Sequence, residues 1–203
     1  MTIQVKISKK RVPYKTAYLF LKKRVELVKK LKSKEMIWLL EHPLTFTRGI
    51  RSNNSEILDK KIKVFKTNRG GKTTLHSPGQ QIVYFALNLN KRRKDIKNLV
   101  RQIEITIIAF LKLYKIKSRA DAKNIGIWVG DKKIAAIGIR VSNWVAYHGF
   151  SINLKNNLNY YKKIIPCGLD NTKVTSVKEQ SNIKISNPDT KLKNIFLKSL
   201  KNI

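Results

Sequence analysis

The sequence predicts an α+β fold, a mixed β-sheet packed with helices. Two observations carry that expectation. One long stretch, Asp95–Ile116, repeats apolar residues at three- and four-residue steps and reads as a helix. Short β-rich runs lie before and after it, without the regular strand–helix alternation of a doubly wound sheet. No Gly/Pro/Ser-rich linker and no repeat divides the 203 residues, so one domain over residues 1–203 is expected.

Taken in order, Thr2–Ser8 alternates weakly and reads as an edge strand. From about Thr16 to Lys32, Ala17, Leu21, Val25 and Val28 fall at helical spacing with lysines between them. Met36–Glu41 is an apolar run of strand length, ended by a turn at His42-Pro43. Thr45–Asn54 is polar and reads as a loop. Lys63–Thr67 is a strand running into Arg69-Gly70-Gly71, where two glycines permit a sharp turn or close ligand approach. Thr73–Leu75 and Gln81–Leu89 read as strands flanking His76-Ser77-Pro78-Gly79. In the long helix Ile96, Leu99, Val100, Ile103, Ile107, Phe110, Leu111 and Tyr114 form a core-facing stripe. Gly126–Val129, Lys133–Val141 and Trp144–Leu154 are three strands, the first two joined through Gly130-Asp131. Asn159–Ile164 is a short helix stopped by Pro166, and Leu192, Phe196 and Leu200 mark a closing helix.

Composition narrows the function. The formal net charge is +32, which favours polyanionic partners, and a nucleic-acid-binding protein is the reading from charge alone. Lysine dominates that charge, 34 Lys against 10 Arg, and lacks the fork that makes bidentate contacts to bases and phosphates. The lysines are scattered, as on solvated faces, so charge alone does not define a nucleic-acid site. A single cysteine excludes an internal disulfide and a multi-cysteine zinc site. No apolar run reaches the ~18–20 residues of a membrane helix, and the N-terminus lacks a signal-peptide core. The expectation is a soluble, cytoplasmic protein with no membrane partner.

Three constellations are candidates for chemistry. Cys167 sits in Ile164-Ile165-Pro166-Cys167-Gly168-Leu169, where proline restrains the chain and glycine leaves the sulfur accessible. A lone cysteine is otherwise a small buried hydrophobe; it becomes a nucleophile where a neighbouring cation favours the thiolate. A lysine can do this, and spacing does not say which. The segment Arg69, Gly70, Gly71, Lys72, Thr73, Thr74, Leu75, His76 can shape a ligand wall with free backbone NH groups; it has neither P-loop nor GxGxxG spacing. Small residues within strands, at Lys133-Ile134-Ala135-Ala136-Ile137-Gly138 and His148-Gly149-Phe150-Ser151, leave room for a ligand or for close packing. No His/carboxylate spacing suggests a metal, and no cofactor is expected.

These pieces, in this order, resemble the lipoyl(octanoyl) transferase family, octanoyl-[acyl-carrier-protein]:protein N-octanoyltransferase. The matching segments are Glu41-His42-Pro43 with Thr47-Arg48-Gly49, Arg69-Gly70-Gly71 with Thr74-Leu75-His76 and Gly79-Gln80, Gly126-Ile127-Trp128-Val129, Lys133 to Gly138, His148 to Leu154, and Pro166-Cys167-Gly168-Leu169 with Val174-Thr175-Ser176. The resemblance implies a fold like the catalytic domain of biotin and lipoate ligases. It implies transfer of an octanoyl group from acyl carrier protein to a lysine of lipoyl domains, those of 2-oxoacid dehydrogenase complexes and the glycine cleavage H protein. It also implies Cys167 as nucleophile, Lys133 as its partner, and an acyl pocket lined by Arg69 to His76, by Ala136, Ile137 and Gly138, and by Gly149, Phe150 and Ser151. Two departures stand out. Lys72 occupies a position that is usually acidic, which puts a usual salt bridge in doubt, and Ser77 follows the histidine where the family usually has a different residue. An ATP-dependent lipoate or biotin ligase, or an amidotransferase moving octanoyl or lipoyl groups between proteins, is the alternative within the superfamily.

Overall fold

Five consecutive buried side chains, Met36 to Leu40, require cover on both faces of their strand. The computed structural model, which describes residues 3–166 and 173–203, supplies it. In chain order the described strands and α-helices are β1 (Ile3–Ile7), α1 (Tyr14–Lys29), β2 (Glu35–Leu40), β3 (Thr45–Arg48), β4 (Val64–Lys66), β5 (Thr73–His76), β6 (Gln80–Asn88), α2 (Ile96–Lys112), β7 (Arg119–Ala120), β8 (Ile127–Val129), β9 (Lys132–Ser142), β10 (Val145–Asn153), β11 (Lys173–Val174), α3 (Val177–Gln180) and α4 (Pro188–Ser199).

The main sheet runs β1-β2-β6-β10-β9-β8-β7. β1 is parallel to β2, and the pairs from β2 through β7 are antiparallel. Beyond Ala135, where β10 leaves β9, β11 pairs parallel to β9 at Lys132 and Lys133. On one face α1 buries Tyr14, Ala17, Leu21, Val25 and Val28 against Met36, Trp38, Leu40, Ile82, Tyr84 and Ala86. On the other, α2 and α4 bring Leu99, Ile103, Ile107, Phe110, Leu192 and Phe196 onto Ile37, Leu39, Val83, Phe85 and Leu87. The sheet is thus a mixed one between helices, as expected. A smaller sheet, β4-β3-β5, closes a third cluster of Phe46, Leu75, Tyr161 and Ile164.

The local signals account for most boundaries. Pro13 precedes α1, and Leu31 in the left-handed region (φ 56°) stops it while Lys32 N donates to Leu27 O. Asp95 caps α2 through a bond from Asn98 N, and Pro188 opens α4. Lys115 turns left-handed (φ 58°), so α2 ends before Ile116. The expected loop over Thr45–Asn54 is in fact strand β3 followed by a 3₁₀ turn at Asn54–Glu56. Only Phe46 of its TFTR sequence is apolar, and the strand exists because β4 and β5 pair with its two edges. The short helix expected over Asn159–Ile164 is present as a 3₁₀ helix, Leu158–Lys163. β7, β11 and α3, two to four residues each, are too short for any periodicity to reveal.

Candidate active site

The sheet register builds a trough. Tyr84 of β6 faces Gly149 of β10, which faces Gly138 of β9; two residues along, Ile82, Ser151 and Ala136 fall in line. Residues two apart share a face, so four small side chains lie together beside Ile82 and Tyr84 on the α1 side. The space is a cavity of about 290 Å³, at the small end of ligand sites. The Arg69-Gly70-Gly71 turn lies across it: Gly70 N donates to Ile139 O at 3.1 Å, and Arg140 Nη1 to Asn68 O at 3.1 Å. A Cβ at Gly70 would stand 2.6 Å from Ile139 O, so only glycine permits this approach. The buried Arg69 guanidinium donates to Thr47 O, Thr47 Oγ1 and Gly70 O, which fixes the turn to β3.

Lys133 enters the same cavity from β9 and is 6% exposed. Its Nζ donates to Ile125 O at 2.9 Å and lies 5.3 Å from the centre of the Trp128 ring. Trp128 is anchored in turn by a bond from Nε1 to Asn124 O. A Cβ at Gly126 would meet Lys133 Cε at 2.4 Å, so this glycine makes way for the lysine stem. The GIWV segment therefore positions Lys133. Thr175 N donates to Lys133 O, so the chain after Cys167 re-enters beside this lysine. Before it, Ile165 N donates to Glu56 O at 2.8 Å. Cys167 itself lies outside the described residues.

A buried polar chain supports the wall. His76 Nδ1 meets Gln80 Oε1 at 2.8 Å; Gln80 Nε2 donates to Asn153 Oδ1 and Tyr161 OH; Asn153 Nδ2 donates to Thr175 O. The amide orientation of Gln80 leaves its oxygen toward His76, so Nδ1 carries the ring proton. His42 Nδ1 meets Val12 O, and its Nε2 meets Tyr84 OH at 2.9 Å. His148, left-handed at φ 67°, directs Nε2 to Asn68 Oδ1 and stacks on Tyr18 and Tyr147. Glu41 Oε2 accepts from Gly79 N. The EHP, GQ and SINL segments thus hold the site's shape.

Burial drives all three histidine pKa values down, His42 to about 4 and His76 and His148 to about 3. Nearby Arg69 pushes His148 the same way, while for His76 the neighbouring His42 adds to the effect. The three rings are neutral in the folded protein at neutral pH. The unfolded chain, with histidines near 6.5, binds more protons below that pH, so stability is level above about pH 6.5 and falls as pH drops toward 3. Each ring contributes roughly 1.4 kcal/mol per pH unit across the part of that window above its own folded value. The expected result is three imidazole ¹³Cε1 shifts that stay at neutral values down to pH 5, with a melting temperature that declines below pH 6.5. A ring titrating near 6.5 in the folded protein contradicts this.

Of the expected pocket residues, Arg69 to Thr74, His76, Ala136 to Gly138 and Gly149 to Ser151 line the cavity together with Lys133. Leu75 does not: it is fully buried among Phe46, Tyr161 and Ile164, in the cluster that the small sheet closes. Ile137 and Phe150 border the cavity while packing into the opposite cluster. Lys72 Nζ pairs with Glu56 Oε1 at 3.8 Å, and Glu56 Oε2 accepts from Thr73 N. Sequence reasoning missed Tyr14, Ile82 and Tyr84 as lining residues, and Arg51, Lys123, Asn124 and Ile125 at the more exposed end. Ile82 and Tyr84 were read only as part of a strand, and Tyr14 fell before the expected helix; the small residues opposite Ile82 and Tyr84 across the strands were the available signal. Among the described residues, no three of His, Cys, Asp and Glu gather as a metal site.

A family model described as the lipoyl protein ligase A/B catalytic domain matches residues 14–200. The octanoyltransferase of Wolbachia sp. subsp. Brugia malayi (strain TRS) is 41% identical over 197 residues, 95% of this chain and 95% of that one. The octanoyltransferase of Wolbachia pipientis subsp. Culex pipiens (strain wPip) is 42% identical over 185 residues, 89% and 90% of the two chains. Among solved structures, a bi-partite lipoate protein ligase of Thermoplasma acidophilum, studied with its E2 lipoyl domain, superposes with a TM-score of 0.74 at 15% identity, covering 99% of this chain and 84% of that one. At that identity the likeness speaks to the fold alone.

Proposed function

From the premise that this chain belongs to the lipoyl protein ligase A/B catalytic-domain family and is an octanoyltransferase, we propose that residues 1–203 act as one catalytic domain that moves an octanoyl group from acyl carrier protein to a lipoyl-domain lysine through a thioester on Cys167. The observation that carries this reading is the buried amino group of Lys133, set in the cavity beside strand β11, which follows the Cys167 segment in sequence.

In the first half, Lys133 takes the proton of the Cys167 thiol and its ammonium stabilises the thiolate. The thiolate attacks the octanoyl carbonyl; a C–S bond to Cys167 forms, the donor C–S bond breaks, and the carrier thiol leaves with a proton. In the second half the acceptor lysine amine attacks the Cys167 thioester. The amide forms, the amine's proton is relayed through Lys133, and the cysteine thiol is restored. Thioester exchange is nearly thermoneutral, whereas amide formation drives the reaction. The donor is already activated, so no ATP is consumed. The trough of Ala136, Gly138, Gly149 and Ser151 holds the alkyl chain, and each methylene buried there contributes about 0.8 kcal/mol. The acceptors are the lipoyl domains of 2-oxoacid dehydrogenase complexes and the glycine cleavage H protein, and the enzyme works in the cytoplasm. Among the described residues, no helix is long and apolar enough to cross a membrane.

The test combines octanoyl-acyl carrier protein with a lipoyl domain in the absence of nucleotide and reads the acceptor mass. Addition of one octanoyl group at its lysine is the expected result. Transfer that occurs only from free octanoate with ATP contradicts it and makes the chain a ligase.

A further inference from the structure

We infer that Glu56 is a positioning residue for the transfer: its carboxylate ties the cavity wall at Thr73 to the chain that leads into Cys167. The inference rests on the cysteine–lysine reading above. A carboxylate taken out of water needs fixed donors. Glu35, the other buried acid among the described residues, has the Arg92 guanidinium. Glu56, 2% exposed, has no such fork. It closes the 3₁₀ turn Asn54–Glu56 and reaches two ways. Its Oε2 accepts from Thr73 N at 2.8 Å, on β5, an outer strand of the small sheet. Its main-chain O accepts from Ile165 N at 2.8 Å, two residues before Cys167. Oε1 makes no hydrogen bond among the described residues and faces Lys72 Nζ at 3.8 Å. Thr73 lines the cavity, so one residue holds the wall by its side chain and the approach to Cys167 by its main chain.

The neighbouring bonds hold the two segments together. Ile57 and Ile164 form an antiparallel bridge, and Leu58 N and Asp59 N both donate to Lys163 O. Asp59 also pairs with Lys163 Nζ at 2.9 Å. Residues 56–59 and 163–165 are thus one bonded unit, and the Glu56 carboxylate joins it to β5. Beyond the Cys167 segment the chain is tied again: Lys173 and Val174 pair with Lys132 and Lys133 on β9, and Thr175 N donates to Lys133 O. The chain around the nucleophile is therefore referenced to the cavity wall on one side and to its lysine on the other. Without the carboxylate, the buried Thr73 NH loses its partner and the approach to Cys167 is free to shift. A misplacement of ~1 Å costs on the order of 10²-fold where reacting groups must align. It also weakens the contact with the cation that favours the thiolate. Glu56 does not line the cavity, so it acts through Cys167 rather than on the substrate.

The test compares the full chain with Glu56→Ala, Glu56→Asp and Glu56→Gln in two readings. One is the single-turnover rate of octanoyl transfer onto Cys167 from a small octanoyl thioester. The other is the rate of alkylation by iodoacetamide across pH, which reports on Cys167 because the chain has one cysteine. Glu56→Ala, and Glu56→Asp with a side chain one methylene short of Thr73 N, are expected to slow acylation roughly 10- to 100-fold. Both should also move the pH midpoint of alkylation upward, as the thiolate loses its cation. Glu56→Gln keeps an oxygen for Thr73 N and is expected to stay within about three-fold of the parent in both readings. The midpoint separates positioning from mere support: a structural loss lowers the melting temperature and the active fraction but leaves the midpoint of the folded protein unchanged. If Glu56→Ala does not fold, Glu56→Asp carries the test. An unchanged midpoint in a folded alanine or aspartate variant overturns the inference, as does a glutamine variant as slow as alanine. A parent that takes no octanoyl group overturns the proposed function, and the alkylation profiles alone then decide the role of Glu56.

Discussion

Lys133→Met is expected to lower octanoyl transfer by two to four orders of magnitude with the fold preserved. The range is that of a positioned proton-transfer group. Methionine matches the stem in length and suits a site that is 6% exposed, so stability changes little. What disappears is the amino group between Ile125 O and the Trp128 ring. Lys133→Arg does not rescue activity, because a guanidinium does not give up its proton and its planar fork does not fit the space above Gly126. Transfer and melting temperature measured on the same preparations check this. A folded methionine variant within ten-fold of the parent contradicts the role given to Lys133.

Gly149→Ala is expected to cost about 3 kcal/mol or more, and with it the trough. A Cβ there would lie 1.8 Å from Val83 O, a backbone atom of the adjacent strand that no rotamer change can move. β6 and β10 pair at this point in the middle of the sheet, so relief requires splaying two central strands. For a chain of this size the loss corresponds to a fall in melting temperature of roughly 6–12 °C. Thermal unfolding by circular dichroism reads it directly, and a variant within 2 °C of the parent shows that the register across Tyr84, Gly149 and Gly138 is wrong.

The sequence made the fold legible where periodicity was long. Leu99 to Phe110 and Ala17 to Val28 announced their helices, and the apolar run Met36–Glu41 announced a strand. It hid β3, whose TFTR gains its conformation from β4 and β5 rather than from its own pattern. Within the site, Lys133 was legible only through the family resemblance, whereas the small residues of β9 and β10 stood out by themselves, since glycine and alanine inside strands leave room for a ligand or for close packing. Leu75 was misplaced because a motif read as one block does not show that successive strand residues face opposite ways. Tyr84 was hidden within an ordinary strand, and only the register across three strands brings it to the trough, where α1 adds Tyr14. The carboxylate beside Lys72, that of Glu56, likewise comes from a segment whose proximity the linear sequence did not state.

The central claim is that the octanoyl group passes through a covalent bond to Cys167. Intact-mass spectrometry after mixing the protein with octanoyl-acyl carrier protein, without acceptor, tests it most directly. One octanoyl addition, released by neutral hydroxylamine and absent when Cys167 is replaced by alanine, is the predicted result. No adduct on the unaltered protein, or a hydroxylamine-labile adduct that persists in Cys167→Ala, contradicts it.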